Sequence, residues 1–331
     1  MPRVGLPASA HTIRVMNLPL TPHLAAAPTG LGQGLGLGLD AGGTQTRWAL
    51  ADAHGAVLAQ GEVAALSGLQ LETERGQEEV RQTLLALASV TRHHGALRAV
   101  VAGVTGFDAQ QVPLLCRLVA QALGVAEQAV SPMSDIELAC HAAFAPGQGY
   151  VVYAGTGSIA AFLDADGVLQ RAGGRGAVID DAGGGHWIAR QALCQIWRAE
   201  DEAPGAWRTS PLALQVFERI GGADWALTRQ WVYGASRGEL GLLALAVAAA
   251  ADEDAVALAL LQQAGVELAR LGQALWHRHG ARPLALAGRV LDLHPVVESS
   301  LRAALPQGAQ VHRLQRSAHH AAALLAARKE I

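Results

Sequence analysis

The sequence predicts an α/β fold of two domains that open with the same three-strand unit. At 331 residues, the chain is long enough for two domains. One strand-like run enters a glycine turn at Asp40-Ala-Gly-Gly-Thr44, and another enters Gly155-Thr-Gly-Ser158. At a similar distance after each turn lie the related segments Ala49-Leu-Ala-Asp-Ala-His-Gly55 and Ala161-Phe-Leu-Asp-Ala-Asp-Gly167. Self-similarity of this kind indicates an internal duplication.

The first domain is predicted at residues 34–147. Alternation of apolar with polar or small residues indicates strands, and Val80, Leu84, Leu87 and Val90 define one face of a helix. The predicted elements are strands at 35–40, 45–51 and 56–63, a helix at 74–94, a strand at 97–104, a helix at 109–123, a short strand from 129 to 134 and a helix at 135–144.

The second domain is predicted at residues 148–331, with the option that its last helix packs back on the first domain. It repeats the three strands at 150–154, 159–163 and 168–172 and is then mostly helical. The remaining predicted elements are helices at 185–198, 210–220, 224–233, 239–250 and 255–279, a strand at 283–287 and a final helix near 317–329. Residues 1–33 contain five prolines and no clear periodicity, and are predicted to be a disordered N-terminal extension. The alternatives are a transit-like segment and a start codon placed too far upstream.

The composition excludes several classes of protein. Lys329 is the single lysine and Asn17 the single asparagine, so the chain can build neither a Walker A loop nor a protein-kinase site. A net charge of −3 argues against a nucleic-acid partner. The cysteines Cys116, Cys140 and Cys194 are far apart, which favours a reducing, cytoplasmic location. The apolar run at 240–251 is too short to cross a membrane.

The first glycine turn is a candidate phosphate site. Gly42 and Gly43 lack a Cβ atom, so their N–H groups can approach a ligand closely, and the Thr44 hydroxyl can assist. Asp40 ends the preceding strand and could hold Mg²⁺ through water. The alternative is an ordinary type I′ or II′ hairpin turn.

The second glycine turn, from Gly155 to Ser158, stands at the equivalent position of the second unit. Two related turns facing one cleft could hold one polyphosphate from both sides. The alternative is a pair of ordinary hairpins inherited from an old duplication.

Asp135 is a candidate general base. Ser134 and Glu137 form a capping-box pattern, which makes Asp135 the first residue of a helix. It could simply complement the helix dipole, an effect of about 0.3–1 kcal/mol. A base aimed into a cleft contributes about 10²–10⁴-fold in rate, and the dipole is expected to keep Asp135 ionised.

A glycine-rich segment follows the second three-strand unit. Gly173-Gly-Arg-Gly176 and Asp180-Asp-Ala-Gly-Gly-Gly185 lead into a predicted helix. A glycine loop entering a helix N-terminus is suited to an anion or a polyol, and the two carboxylates could bind sugar hydroxyls or a metal. The alternative is a flexible linker.

The ordered set of these motifs resembles the N-acetylglucosamine/glucosamine kinase group of the BadF/BadG/BcrA/BcrD ATPase family. That group belongs to the actin/Hsp70/sugar-kinase superfamily, and the resemblance covers roughly residues 35–330. It implies a two-domain actin-like ATPase (ribonuclease H-like) fold, with duplicated β-β-β-α-β-α units around an ATP cleft.

The resemblance also implies roles for individual residues. Asp135 would be the base that deprotonates the sugar hydroxyl, and Asp40 would bind the metal. The nucleotide-binding set would be Asp40, Gly42, Gly43, Thr44, Thr46, Gly155, Thr156, Gly157, Ser158 and Gly288. The sugar-binding set would be Ser67, Thr105, Gly106, Asp135, Gly173, Gly174 and Asp181.

Several positions depart from the pattern of the group. Arg175 replaces the tryptophan of its Gly-Gly-Trp-Gly motif, and Ala182 replaces the glutamate of its Gly-Asp-Glu-Gly motif. The asparagine of N-acetylglucosamine kinases would fall near Leu69, and Arg289 stands where a second glycine is expected. The phosphate turns and the base are retained, so phosphoryl transfer is better supported than any particular sugar.

The expected protein is therefore an ATP-dependent kinase of an amino sugar or related hexose, with ATP and Mg²⁺ as cofactors and a small-molecule sugar as partner. The apolar, helix-rich second half would suit a homodimer. One alternative is an ATPase that activates a CoA-ester reductase through a shared iron–sulfur cluster. Another is a non-catalytic sugar-sensing relative.

Overall fold

The structure, a computed structural model, describes residues 34–329. Contacts divide this part of the chain into two compact units. The first contains the described residues up to Ala142 and those from Gln315 onward, and the second comprises Ala143–Leu314. The extension predicted at residues 1–33 lies outside the described residues.

The first unit is built on a five-stranded mixed sheet with the strand order β3-β2-β1-β4-β5. Its elements are β1 (Leu35–Ala41), β2 (Gln45–Ala51), β3 (Val57–Ala64), α1 (Glu74–Thr91), β4 (Leu97–Val104), α2 (Val112–Leu123), β5 (Val130–Ser134) and α3 (Asp135–Ala143). Strands β1, β2 and β3 pair antiparallel, whereas β1, β4 and β5 pair parallel.

The second unit is built on another five-stranded sheet, in the order β10-β9-β6-β7-β8. Its elements are β6 (Tyr150–Ala154), β7 (Ser158–Leu163), β8 (Leu169–Gly173), α4 (Gly185–Glu202), α5 (Pro211–Ile220), α6 (Trp225–Gly234), α7 (Arg237–Gly241), α8 (Ala244–Ala250), α9 (Ala255–His279), β9 (Leu284–Ala287), α10 (Pro295–Ala304) and β10 (Val311–Arg313). The last helix, α11 (Ala318–Arg328), belongs to the first unit.

The two sheets have the same topology, as the duplication predicts. In each, three antiparallel strands are followed by a strand that pairs parallel with the first and by another that pairs parallel with that strand. Strand β10 was not predicted because it is only three residues long. The helix expected at 239–250 is two helices, since the N–H groups of Leu242 and Leu243 bond to carbonyls three residues back, at Glu239 and Leu240.

The two faces of β1 are packed differently. Leu35, Leu37 and Leu39 enter a core that also contains buried residues of α1 and α2. Between them, Gly36 and Gly38 point toward the backbone of α11, and a Cβ atom on Gly38 would lie 2.0 Å from the nitrogen of Ala323. The alternation of leucine with glycine therefore produces one face for side-chain packing and one for close helix contact.

Within residues 34–329, none of the helices combines the length and apolar character that crossing a membrane requires.

Candidate active site

Three parallel strands of the first unit end at the same level. Ala41 of β1 pairs with Val104 of β4, and Val104 pairs with Ser134 of β5. The residue after β4, Thr105, donates its N–H to the Ala41 carbonyl at 2.9 Å. Asp135 follows Ser134 directly, so this edge brings together Thr105, Asp135 and the first glycine turn. The carboxyl edge of parallel strands is where open α/β sheets bind ligands.

Asp135 is the first residue of α3 and is held by local hydrogen bonds. Its Oδ1 atom accepts the N–H of Ile136 at 2.8 Å, and the side chain of Thr105 hydrogen bonds to the carboxyl group. Burial nevertheless raises the pKa of Asp135, outweighing the hydrogen bonds that favour its charged form. Desolvation thus shifts the pKa of Asp135 in the direction opposite to that expected from the helix dipole. A raised pKa makes the carboxylate a better proton acceptor.

Asp40 lies close enough to Asp135 for their charges to interact. Burial raises the pKa of Asp40, Arg47 opposes this rise, and the charge of Asp135 adds to it. No group of three or more His, Cys, Asp or Glu side chains among residues 34–329 forms a metal site. Mg²⁺ needs few protein carboxylates when phosphate oxygens and water complete its shell, so Asp40 would suffice to hold it.

The first glycine turn presents free backbone donors. Gly42 donates its N–H to the Gln45 carbonyl at 3.1 Å, whereas the N–H groups of Gly43 and Thr44 have no acceptor in the described part of the chain. Neither glycine has a positive φ, so the turn is not the type I′ or II′ hairpin considered above. Thr46 differs from the exposed Thr44, since it is buried and its hydroxyl has no partner within residues 34–329.

The remaining predicted sugar contacts of the first unit surround Thr105. The N–H of Gly68 donates to the Thr105 carbonyl at 2.9 Å, which places the turn after Ser67 beside this edge. The N–H of Ser67 donates to the Gln70 side chain at 2.9 Å. Leu69 is 66% exposed. Its Cγ atom would lie 3.5 Å from a Cβ atom placed on Gly106. The position near which the family resemblance expects an asparagine thus presents an apolar side chain.

The second glycine turn has the same arrangement of donors. Gly155 donates its N–H to the Gly157 carbonyl at 2.9 Å, and the N–H groups of Thr156 and Gly157 have no acceptor among residues 34–329. Behind the turn, Gly185 and His186 donate their N–H groups to the carbonyls of Gly155 and Thr156 at 2.9 and 3.0 Å. The N-terminus of α4 therefore supports the turn. The N–H groups of Gly185 and His186 are therefore not free for the anion that the glycine loop was expected to bind.

Two side chains of the second unit that were predicted to bind ligand, those of Ser158 and Asp181, bond to other groups of the protein. The Ser158 hydroxyl donates to the Ala182 carbonyl at 2.6 Å and is buried. Asp181 is 4% exposed, its Oδ1 atom accepts the Gly176 N–H at 3.1 Å, and its Oδ2 atom lies 3.2 Å from Arg237 Nη2. Both side chains fix the glycine-rich loop against the second turn.

The remaining predicted glycines of the second unit allow close backbone approach. Gly173 ends β8 and Gly174 follows it, with φ of 74° and 62°, and the Gly174 N–H donates to the Ser158 carbonyl at 3.0 Å. Gly288 follows β9 with φ of 99°, and a Cβ atom there would lie 2.2 Å from the Ala154 carbonyl oxygen. Gly288 is thus required for the fold where β6 and β9 end.

The structure also places at the second turn two residues that the sequence did not assign to it, Gly184 and Arg237. The run from Gly183 to Gly185 could have indicated a close backbone contact, because a Cβ atom on Gly184 would lie 2.7 Å from Gly157 Cα. Arg237 had no such signal, since it follows Gly157 by 80 positions in the chain.

The duplicated sheets and paired backbone turns define a two-domain ATPase of the actin-like class. The chain belongs to the BadF/BadG/BcrA/BcrD ATPase family, whose model matches residues 37–326. This match confirms the family inferred from the sequence motifs. A search of curated proteins found no significant match.

Solved structures similar to this chain include sugar kinases. A Chromobacterium violaceum protein, provisionally assigned as an N-acetylglucosamine kinase, is 29% identical with a TM-score of 0.70, covering 88% of this chain and 98% of its own. A Porphyromonas gingivalis protein with the same provisional assignment is 19% identical, with a TM-score of 0.70 and coverage of 86% and 96%. A ROK family glucokinase from Streptomyces griseus, in complex with glucose and AMPPNP, is 19% identical with a TM-score of 0.55 and coverage of 89% and 98%.

Proposed function

We propose that this protein is an ATP-dependent phosphotransferase that acts on a hydroxyl of an amino sugar, either glucosamine or N-acetylglucosamine, or of a related hexose. The observation that carries the proposal is Asp135, a half-buried carboxyl group whose pKa is raised by desolvation, at the edge where three parallel strands end. Membership of the ATPase family and similarity to sugar kinases support the same class of reaction.

The proposed reaction assigns a distinct task to each group. Asp135 accepts the proton of the acceptor hydroxyl, whose oxygen forms a bond to the γ-phosphorus as the bond to the β–γ bridging oxygen breaks. ADP leaves with the electron pair of that bond. The free N–H groups of Gly43 and Thr44, and those of Thr156 and Gly157, stabilise phosphate charge. Asp40 holds Mg²⁺, which supplies further positive charge to the phosphates.

The preferred sugar depends on the surface beside Asp135. Leu69 offers no amide that could hydrogen bond to an acetyl group. An N-acetyl group would therefore gain only apolar contact at this side chain, which gives no hydrogen bond that would favour the acetylated sugar over glucosamine or a hexose. The cytoplasmic location and the homodimer remain predictions from the sequence.

A coupled assay of ADP release with a panel of hexoses and hexosamines tests this function. The panel should contain glucosamine, N-acetylglucosamine, glucose and mannose, with mass spectrometry of the products. We expect sugar-dependent ADP release in equal amount to a phosphorylated sugar. ADP release that is the same with and without every sugar would contradict the proposal.

Substitution of Gly43 with alanine tests whether the first turn binds phosphate. A Cβ atom there meets nothing within 4 Å and φ is not positive, so stability should change by less than about 0.5 kcal/mol. A methyl group on the phosphate-binding surface should weaken ADP affinity by about tenfold, equivalent to about 1.4 kcal/mol. Calorimetric titration with ADP and Mg²⁺ measures this change.

Gly234→Ala is the matched control, because its added Cβ atom also meets open space, at the end of α6. This control should bind ADP like the wild type. Unchanged ADP affinity in Gly43→Ala would show that the first turn does not hold phosphate.

A further inference from the structure

Arg237 lies against the backbone of the second glycine turn. It is the first residue of α7, and its Nη2 atom would be 2.9 Å from a Cβ atom placed on Gly157. The same Cβ position is 2.4 Å from Asp181 Oδ2. A side chain at Gly157 would thus collide with the ion pair, and its absence lets the guanidinium reach the turn whose N–H groups are free.

The ion pair with Asp181 does not use the whole guanidinium group. An arginine has five N–H donors in a planar fork, and the Arg237 side chain remains 51% exposed although Asp181 is only 4% exposed. The buried carboxylate of Asp181 therefore orients the arginine through Nη2, while the remaining N–H donors of the guanidinium stay accessible. A fork of this kind matches phosphate oxygens better than a lysine ammonium does.

The surroundings of the turn carry further positive charge. Burial, together with the charges of Arg237 and Arg190, lowers the pKa of His186, which follows the first residue of α4. Asp181 opposes this effect. The acidic residue of α7, Glu239, accepts the N–H of Ser236 at 2.7 Å and is thereby used in capping its own helix.

We propose that Arg237 binds the terminal phosphate oxygens of the nucleotide at the second glycine turn, positioned by Asp181. This inference rests on the proposed function. It also accounts for how a chain with one lysine supplies a side-chain cation to phosphate, because Lys329 is used elsewhere. The Nζ atom of Lys329 donates to the Gln128 carbonyl at 2.7 Å and to the Ser131 hydroxyl at 2.8 Å, both in the first unit.

Arg237→Gln and its control Arg270→Gln test the inference. Arg270 is a matched control, because its Nη2 atom lies 2.9 Å from Oδ2 of the neighbouring carboxylate, Asp180, and its side chain is 50% exposed. Binding of tripolyphosphate and of ATP with Mg²⁺ should be measured by calorimetry without sugar, and KM for ATP and kcat with sugar. We expect at least tenfold weaker tripolyphosphate binding in Arg237→Gln, less than twofold change in Arg270→Gln, and partial recovery in Arg237→Lys.

A double variant separates phosphate binding from a merely structural role. Loss of Arg237 alone leaves Asp181 buried and unpaired, which could distort the turn. In Arg237→Gln with Asp181→Asn the uncompensated charge is gone, and the asparagine oxygen can still accept the Gly176 N–H. Tripolyphosphate binding that stays weak in the double variant supports the inference. Recovery to the wild-type affinity, or wild-type affinity in Arg237→Gln itself, would overturn it.

The two proposals fail in different ways. A wild-type protein that phosphorylates no sugar contradicts the proposed function. The polyphosphate binding data decide the role of Arg237 by themselves, because they require no acceptor.

Discussion

Replacing Asp135 with asparagine is expected to lower kcat for sugar phosphorylation by about 10²–10⁴-fold, the usual contribution of a general base. Asparagine has nearly the same shape, and its oxygen can still accept the bonds from Ile136 and Thr105. It cannot take the proton of the acceptor hydroxyl at neutral pH. ADP affinity should stay within twofold of the wild type, which calorimetry can verify alongside the coupled assay.

Glu137→Gln is the matched control, because Glu137 is also an acidic residue in the first turn of α3. Its N–H donates to the Ser134 hydroxyl at 3.3 Å, a backbone bond that glutamine leaves in place. This variant should keep nearly full activity. A similar loss in both variants, or full activity in Asp135→Asn, would rule out Asp135 as the base.

The raised pKa of Asp135 also predicts a change in stability with pH. Between the ordinary aspartate pKa and the raised native value, the folded state binds more protons than the unfolded state. The free energy of unfolding therefore falls as pH rises through this window. Asp135→Asn removes the burial of a charge, so at neutral pH it should be at least as stable as the wild type. The difference should shrink as the pH is lowered through the window, and urea denaturation at several pH values measures it.

Substitution of Gly38 with alanine is expected to destabilise the first unit strongly. The new Cβ atom would lie 2.0 Å from the Ala323 nitrogen and 2.3 Å from the His319 carbonyl oxygen. Both are backbone atoms of α11, so no side-chain rotation can relieve the clash. Overpacking of this kind costs about 1–3 kcal/mol and occasionally more, and here α11 must move away from the sheet.

Hydrogen exchange followed by mass spectrometry can localise the effect of Gly38→Ala. Peptides of β1 and α11 should lose protection, while peptides of the second unit should not. Gly43→Ala is the control for stability. Gly43 lies five positions after Gly38, and a Cβ atom added there meets open space. Unaltered protection of α11 in Gly38→Ala would show that the helix does not pack on this face of β1.

Much of the fold follows from local patterns in the sequence. The two Gly-Thr turns and the segments after them predicted the duplicated three-strand units, because strand alternation and turn residues act over a few positions. The pattern Ser134-Asp-Ile-Glu137 placed Asp135 at the start of a helix for the same reason. Strand β10 escaped this reasoning because three residues are too few to show a period.

The candidate site was only partly predictable. The glycine motifs located both turns, since a close backbone approach requires glycine wherever it occurs. They did not reveal which donors would stay free, and the N–H groups of Gly185 and His186 are occupied by the second turn. The raised pKa of Asp135 could not be predicted, because a helix start is visible in the sequence, whereas desolvation depends on residues distant in the chain.

The sequence by itself determined the family, the order of nine of the ten described strands along the chain and the positions of the two turns, because these depend on residues near one another. Tertiary structure alone decided three other features. These are the packing of α11 on the glycines of β1, the desolvation of Asp135 and the placement of Arg237 beside Gly157. Each depends on residues or elements distant in the chain, which only the folded protein brings into contact.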